Sequence, residues 1–315
     1  MKKAILIVSF GTTYPETRQK NIAAITRQVR ALYPDALVAE AVSSTIVRNA
    51  MKKREHIDAK SPEEGLLWLK EQGATHIVVF PTHVIDGIEN HRVKRVVEEY
   101  KTDFKQITVA DALLAKSCDY TNVAKALWES LKEKVGNAPL ILMGHGTEHT
   151  ADSSYAVMEQ ALQAYAQQPV YIATVEGKRT IADVIAQMQS EDIVNVRVVV
   201  APFMLVAGDH AHNDMAGMED SFASLLKENG YLPECILRGL GEYPAVREIY
   251  LSHLQKAAGT LFADITTKNR TGILYGIGVG SGNPKQMTLQ ALETIRACDL
   301  IVLPAVSKEE YMTTE

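Results

Sequence analysis

Short apolar runs spaced along the chain set the terms on which it can fold. They occupy 4–8, 37–41, 76–80, 107–109, 140–143, 170–173 and 196–200. Each is rich in Val and Ile and apolar at both parities, the pattern of a strand covered by helices on both faces. Between them, apolar residues recur at three- and four-residue steps. In 16–33 that spacing puts Ile22, Ile25, Val29 and Leu32 on one helical face. Segment 62–72 opens with Ser61 as cap, Pro62 at the first helical position and Glu64 at the third, a capping box. Segments 121–134, 153–166, 180–189 and 215–229 read alike. Strand–helix alternation predicts an α/β protein with parallel sheets.

The chain also repeats itself. The stretch Ile5-Leu6-Ile7-Val8-Ser9-Phe10-Gly11-Thr12 is matched by Leu140-Ile141-Leu142-Met143-Gly144-His145-Gly146-Thr147. Val78-Val79-Phe80-Pro81 is matched by Val199-Val200-Ala201-Pro202, and from those prolines onward Gly87 falls opposite Gly208, Glu89 opposite His210 and His91 opposite His212. Two similar α/β lobes are expected, 1–125 and 126–262. A polar linker, 263–271, follows. Residues 272–315 carry one strand–helix–strand unit, with the helix over 285–297, too little to bury a core of its own.

Composition narrows the function classes. The 315 residues are 46% hydrophobic and 23% charged, ordinary for a globular protein and unlike a disordered or collagenous one. With 33 basic and 38 acidic residues the net charge is −5, so bulk charge predicts no nucleic-acid partner. The run 4–8 is too short for a secretion signal, and no stretch reaches about 18 apolar residues, so no membrane span is expected. Cys118, Cys235 and Cys298 are far apart and read as reduced, buried thiols of a cytoplasmic protein. A homo-oligomer is left open.

Chemistry concentrates at strand ends, where open parallel sheets bind ligands. Gly144-His145-Gly146-Thr147-Glu148-His149 follows one predicted strand, and Gly208-Asp209-His210-Ala211-His212-Asn213-Asp214 follows another. Asp86-Gly87-Ile88-Glu89-Asn90-His91 follows a third, and Glu176 a fourth. Imidazole with carboxylate suits a divalent transition metal that is held and then released. His145 and His210, set among glycines, are the strongest candidates. His149 and His212 read as neighbouring loop groups, His83 as a strand cap, and His56, His76 and His253 as surface or packing residues. There is no Gly-x-Ser-x-Gly nucleophile elbow and no phosphate-binding P-loop, and the glycines at 276, 278, 280 and 282 do not meet Gly-x-Gly-x-x-Gly.

Residues 1 to 262 resemble the anaerobic-type (class II) cobalt chelatases. The resemblance rests on Val8-Ser9-Phe10-Gly11-Thr12-Thr13, Pro81-Thr82-His83-Val84, Gly144-His145-Gly146-Thr147-Glu148-His149 and the run from Pro202 to His210. It implies two ferrochelatase-like lobes, each a parallel sheet flanked by helices. It also implies insertion of Co²⁺, as substrate metal, into the polycarboxylate tetrapyrrole sirohydrochlorin on the way to cobalamin, with no organic cofactor. By the same resemblance His145, His210 and Glu89 are the catalytic groups, and His145, His210 and Glu176 the metal donors. Ser9, Phe10, Gly11, Thr12, Thr13, Gly144 and Gly146 would meet the tetrapyrrole. Arg48, Lys52, Lys53 and Arg54 are candidates for its carboxylates, or simply a solvated helix face. The segment Tyr275–Pro284 with Thr288-Leu289 and Asp299-Leu300-Ile301-Val302 resembles the opening of a precorrin-type, S-adenosylmethionine-dependent methyltransferase. Its methyl-donor site is expected to be incomplete, as in a truncated fusion. Insertion of Ni²⁺ or Fe²⁺ into a related tetrapyrrole, and a non-catalytic tetrapyrrole or metal carrier, stand as alternatives.

Overall fold

A computed structural model describes residues 2–262 together with Ile277, Thr288, Gln290, Ala291 and Ile295. The expected linker 263–271 and nearly all of the tail 272–315, with Cys298, lie outside the described residues. Gln290, Ala291 and Ile295 are helical, as expected within 285–297, and the Ala291 amide donates to Thr288 Oγ1 at 3.2 Å.

Two four-stranded, all-parallel sheets carry the fold. In the first, β1 (Lys3–Ser9), β2 (Leu37–Val42), β3 (His76–Pro81) and β4 (Gln106–Val109) lie in the order β2-β1-β3-β4. In the second, β5 (Leu140–Gly144), β6 (Val170–Thr174), β7 (Arg197–Pro202) and β8 (Leu232–Cys235) lie in the order β6-β5-β7-β8. The orders are the same once the numbering is shifted by a repeat. Register agrees too: Val8 faces Pro81 and Met143 faces Pro202, the residues that align between the halves. The duplication is therefore structural, and the architecture is the expected pair of α/β lobes.

The helices are α1 (Pro15–Lys20), α2 (Ile22–Leu32), α3 (Thr45–Glu55), α4 (Pro62–Glu71), α5 (Ile88–Glu99), α6 (Ser117–Val135), α7 (Ser153–Ala166), α8 (Ile181–Ser190), α9 (Phe222–Glu228) and α10 (Pro244–Leu261). The Ser61–Glu64 capping box at α4 forms as read from the sequence, and Thr180 with Asp183 makes the same box at α8. Two expectations about helices need correction. The helix expected over 16–33 is broken at Asn21, which is fully buried and whose amide donates to the Thr17 carbonyl at 2.8 Å instead of facing solvent. The helix expected over 215–229 survives only as α9, because Ser221 caps at that point and the chain before it makes a single π-type turn over Ala211–Met215. The 125/126 boundary falls within α6, a continuous helix.

The strands bury their apolar residues on both faces. One core gathers Ile5, Ile7, Val78 and Phe80 of the first sheet with Leu140, Leu142 and Val199 of the second. The helices α6 and α10 complete it. Buried Tyr250 of α10 donates its hydroxyl to the Thr82 carbonyl at 3.0 Å, just past β3. Asp119 of α6 accepts the Ala115 and Lys116 amides at 3.0 and 2.7 Å and lies 3.1 Å from His253 Nε2 of α10. Cysteine burial also differs from expectation. Cys118 is exposed on the first turn of α6 and Cys235 half-buried on the edge strand β8, both free.

Asp119→Ala removes two helix-start bonds and leaves His253 buried without its partner. A loss of about 2–4 kcal/mol in urea unfolding is expected; a change below about 0.5 kcal/mol would show that α6 does not depend on this carboxylate.

Candidate active site

The strand orders locate the site. In each sheet the chain runs outward on one side of the first strand and then crosses to its other side, so connections diverge between β1 and β3 and again between β5 and β7. Ligands in open parallel sheets bind in such crevices, beyond the carboxyl ends of the strands. Phe10 follows β1, Glu89 follows β3, His145 follows β5 and His210 follows β7.

Two imidazoles meet there. The rings of His145 and His210 are 4.8 Å apart, centroid to centroid, and nearly perpendicular at 87°. The hydrogen-bond partners of each ring define its tautomer. His145 Nδ1 is 3.1 Å from the Gly146 carbonyl, which can only accept, so this nitrogen carries the proton. His210 Nδ1 is 2.6 Å from Asp214 Oδ2, an acceptor when ionised. In the neutral ring, Nε2 of each histidine is then left with its lone pair, the form that binds a metal. Glu176 Oε2 lies 3.7 Å from His145 Nδ1 on an exposed side chain, so it sits on the side of the ring away from Nε2. Among the described residues no group of three or more His, Cys, Asp or Glu side chains is arranged to hold a metal ion.

The backbone that presents His145 is tightly constrained. Gly11 and Gly146, at matching positions of the repeat, both adopt positive φ, +94° and +85°. A Cβ on Gly11 would lie 2.5 Å from Val42 Cγ1, and one on Gly146 would collide with the backbone of Gly177. Tyr155 packs under Gly144, leaving no room for a Cβ there, and its hydroxyl accepts the Gly146 amide at 3.2 Å. Burial holds that phenol protonated, its pKa pushed up to about 12. Asp152 Oδ1 accepts the Thr147 amide at 3.1 Å.

Other sequence candidates fall in different places. Phe10 is 41% exposed, with its ring 6.3 Å from that of His145. Ser9 and Thr12 are buried, and Thr12 Oγ1 accepts the Tyr14 amide at 3.2 Å, whereas Thr13 is half-buried. Ser9 and Gly11 also line a cavity of about 330 Å³ with Arg18, Met51 and Trp68, which does not include either histidine. The candidate site is assigned to the histidine crevice, because that is where metal-binding donors converge. Glu89 lies in the first turn of α5, paired with Arg92; it makes no hydrogen bond or ion pair with His145 or His210. His149 Nδ1 accepts the Ala151 amide at 3.1 Å, and its ring stands edge-on to His91 at 4.9 Å. Arg48 is committed to the carbonyls of Val42 and Ser43 at 2.6 and 2.9 Å, and Lys52 to Asp58 at 2.9 Å. Lys53 and Arg54 remain on the exposed face of α3.

His83 does not cap a strand. Both its ring nitrogens are buried and, among the described residues, make no hydrogen bond of good geometry; Asn90 beside it is their nearest polar neighbour, and its own Oδ1 is likewise unbonded. Burial pushes its pKa down to about 4, against the smaller opposing pull of Glu89. Asp214, by contrast, was visible: a His and an Asp four residues apart share one face of a helical turn, but only the π-type turn shows that they pair.

Residues 3–259 match the cobalt chelatase (CbiK) family. The chain belongs to that family. It is 33% identical over 258 residues to the sirohydrochlorin cobaltochelatase of Salmonella typhimurium, covering 82% of this chain and 97% of the relative. It is 32% identical over 267 residues to the sirohydrochlorin cobaltochelatase CbiKC of Nitratidesulfovibrio vulgaris, covering 82% and 92%. The fold of this chelatase is similar to that of SirB from Bacillus subtilis, solved with Fe³⁺, with a TM-score of 0.58 at 20% identity over 82% of this chain and 97% of that one. It is similar also to CbiX, described as the terminal enzyme of siroheme biosynthesis in denitrifying bacteria, with a TM-score of 0.51 at 18% identity over 81% and 99%. Residues 273–313 match the tetrapyrrole (corrin/porphyrin) methylases. No helix among the described residues is long and apolar enough to cross a membrane.

Two outcomes follow for the chelatase. The unfolded chain takes up a proton near the ordinary imidazole value of 6.5, whereas folded His83 does so only near 4. Its contribution is therefore complete above pH 6.5 and declines as pH falls toward 4, by up to about 3 kcal/mol. His83→Leu should flatten that part of the unfolding profile between pH 7 and pH 4.5; an unchanged slope would show that His83 is not the group titrating. Asp214→Ala frees the His210 ring and should weaken Co²⁺ binding about 10-fold or more in a calorimetric titration; wild-type affinity would mean that Asp214 does not orient the ring.

Proposed function

We propose that this chain is a cytoplasmic sirohydrochlorin cobaltochelatase acting in anaerobic cobalamin formation, with Co²⁺ as substrate metal. The observation that carries this reading is the pair of histidines from two different strand ends, each with Nδ1 engaged and Nε2 free. Family membership and the names of the relatives support the substrate.

The chemistry follows from the residues. A free-base tetrapyrrole must lose two pyrrole protons as the metal enters. His145 and His210 present Nε2 lone pairs to Co²⁺ or to a departing proton. Two imidazoles without a third close donor make an open set, which suits a metal that leaves with the product. Glu176, on the Nδ1 side of His145, orients that ring or receives a proton rather than binding the metal, and Glu89, at the head of α5, is the second carboxylate of the site. Gly144 and Gly146 let the macrocycle approach the backbone, and Phe10 offers it an apolar face. The backbone at Ser9, Gly11, Thr12 and Thr13, before α1, together with Lys53 and Arg54 of α3, faces the substrate's carboxylates, which offsets the unfavourable net charge of −5. A cleft that holds the macrocycle bent favours the transition state without a covalent intermediate. The same reading keeps 1–125 and 126–262 as two lobes joined through α6, and 272–315 as a methyltransferase-like segment.

The test is anaerobic insertion of Co²⁺ into sirohydrochlorin, followed by absorbance. The wild type should turn over many times, and His210→Ala and His145→Ala should each lose about 100-fold or more in kcat/KM. Stoichiometric binding without turnover would make the protein a carrier. Faster insertion of Ni²⁺ or Fe²⁺ would change the metal. Full activity in both variants would remove the histidines from the reaction.

A further inference from the structure

The loop that carries His210 is fastened to the opposite half of the molecule. Residues 207–212 follow β7, and several of their contacts run to Thr12, Tyr14 and Thr17, in the loop after β1 and in α1. Thr17 Oγ1 donates to the Ala207 carbonyl at 3.3 Å. Gly208 lies against Thr12, where an added Cβ would be 3.1 Å from Oγ1. The Tyr14 hydroxyl donates to Asp209 Oδ1 at 3.3 Å. The Tyr14 ring lies flat on His212, centroids 4.9 Å apart and 9° from parallel. Asp209 and His212 flank His210, so Tyr14 grips the loop on both sides of it. Tyr14 is itself tethered, since its amide donates to Thr12 Oγ1 at 3.2 Å and Arg18 donates to the Thr12 carbonyl at 3.3 Å. Arg18 in turn pairs with Glu55 at the end of α3.

The loop is anchored at Ala207, Ala211 and Met215 in the core of its own half, while Asp209 and His212 lie at its surface. It turns through Gly208 and enters a single π-type turn, and the His210 ring is bonded by Asp214 and met edge-on by His145. The Asp214 bond sets the rotation of the imidazole within its loop. It does not set the distance from His145, which stands on the neighbouring strand of the same sheet. The distance depends on where the loop sits: Ala207, Ala211 and Met215 seat it in the core of its own half, and the contacts to its exposed residues Asp209 and His212, on either side of His210, come from Tyr14 of the first half.

We propose that Tyr14 is a positioning residue of the chelatase: by stacking on His212 and bonding Asp209 it holds His210 at its working distance from His145. The inference rests on the assignment of His210 as a metal donor. It is distinct from a role in substrate binding, because Tyr14 acts through the loop. A displacement of about 1 Å at a reacting group costs up to about 100-fold in rate, so a loosened loop is read directly in turnover.

The experiment compares wild type with Tyr14→Leu, which loses both contacts, and Tyr14→Phe, which keeps the stack and loses the hydroxyl. Three readouts are taken: kcat and KM for anaerobic Co²⁺ insertion, the affinity for Co²⁺ alone from its visible absorption band, and the melting temperature. Tyr14→Leu should lose about 10- to 100-fold in kcat and about 10-fold in Co²⁺ affinity, with KM within about 3-fold. Tyr14→Phe should recover most of both, because the ring still covers His212. His212→Leu removes the stack from the other side and should reproduce the Tyr14→Leu losses, which keeps the test open if Tyr14→Leu does not fold. Wild-type kcat and Co²⁺ affinity in Tyr14→Leu would overturn the proposal. So would a change confined to KM, which would mean direct contact with substrate, or a loss matched by a fall in melting temperature in every variant. If the wild type itself does not turn over, the proposed function fails, while the Co²⁺ titration still reports whether Tyr14 positions His210.

Discussion

Everything in the candidate site hangs on the reversal of chain direction beside the central strands of two parallel sheets. A parallel strand buried on both faces can offer functional groups only at its ends. The crevice opens where successive connections part to opposite sides. In this molecule that happens between β1 and β3 and between β5 and β7, and the residues that follow those four strands are Phe10, Glu89, His145 and His210. The apolar strands thus do more than fill a core. They hold the loops of the candidate site in place.

Duplication explains the scaffold, and divergence the chemistry. Phe10 stands where His145 stands in the other half, and Glu89 where His210 stands. Both halves keep the left-handed glycine after the first strand, Gly11 and Gly146, because the turn there has no room for a Cβ in either. At these two positions only the second half carries imidazoles. The first half kept an aromatic ring and a carboxylate, and it supplies the brace on the His210 loop. One half therefore carries the His145–His210 pair, and Tyr14 of the other contacts the loop that carries His210. One core under α6 and α10 joins the two halves.

Most elements could be read from pattern alone, and the misses have physical causes. The strand at 232–235 escaped notice because it lies at an edge and alternates exposed with half-buried residues. The long helix at 244–261 was missed although Pro244 opens it and Val246, Tyr250, Leu254, Ala258 and Leu261 mark its buried face. No single local signal separates that stripe from a loop once the strand periodicity has faded. The break at Asn21 and the π-type turn at Ala211–Met215 depend on tertiary partners: Asn21 reaches toward Glu242, 221 residues away, and the turn buries Ala211 and Met215 in the core of its own half while Tyr14 of the first half stacks on His212. His83 looked like a cap because its neighbours are Pro and Thr; burial of both ring nitrogens is a property of what packs around it.

The sequence by itself determined the α/β class, the duplicated order of strands, the clustering of imidazoles and carboxylates at strand ends and, through its motifs, the family. These are local properties: periodicity, capping and short runs of identical chemistry are all written within a few residues. Only the tertiary structure decided which nitrogen of each histidine is free, that Glu176 lies on the Nδ1 side of His145, that Ser9 and Thr12 are buried, and that Tyr14 grips the loop of His210 from 195 residues away. Those facts concern distances and hydrogen bonds between segments remote in the chain. Such distances follow from how the two sheets pack, which no window of sequence contains.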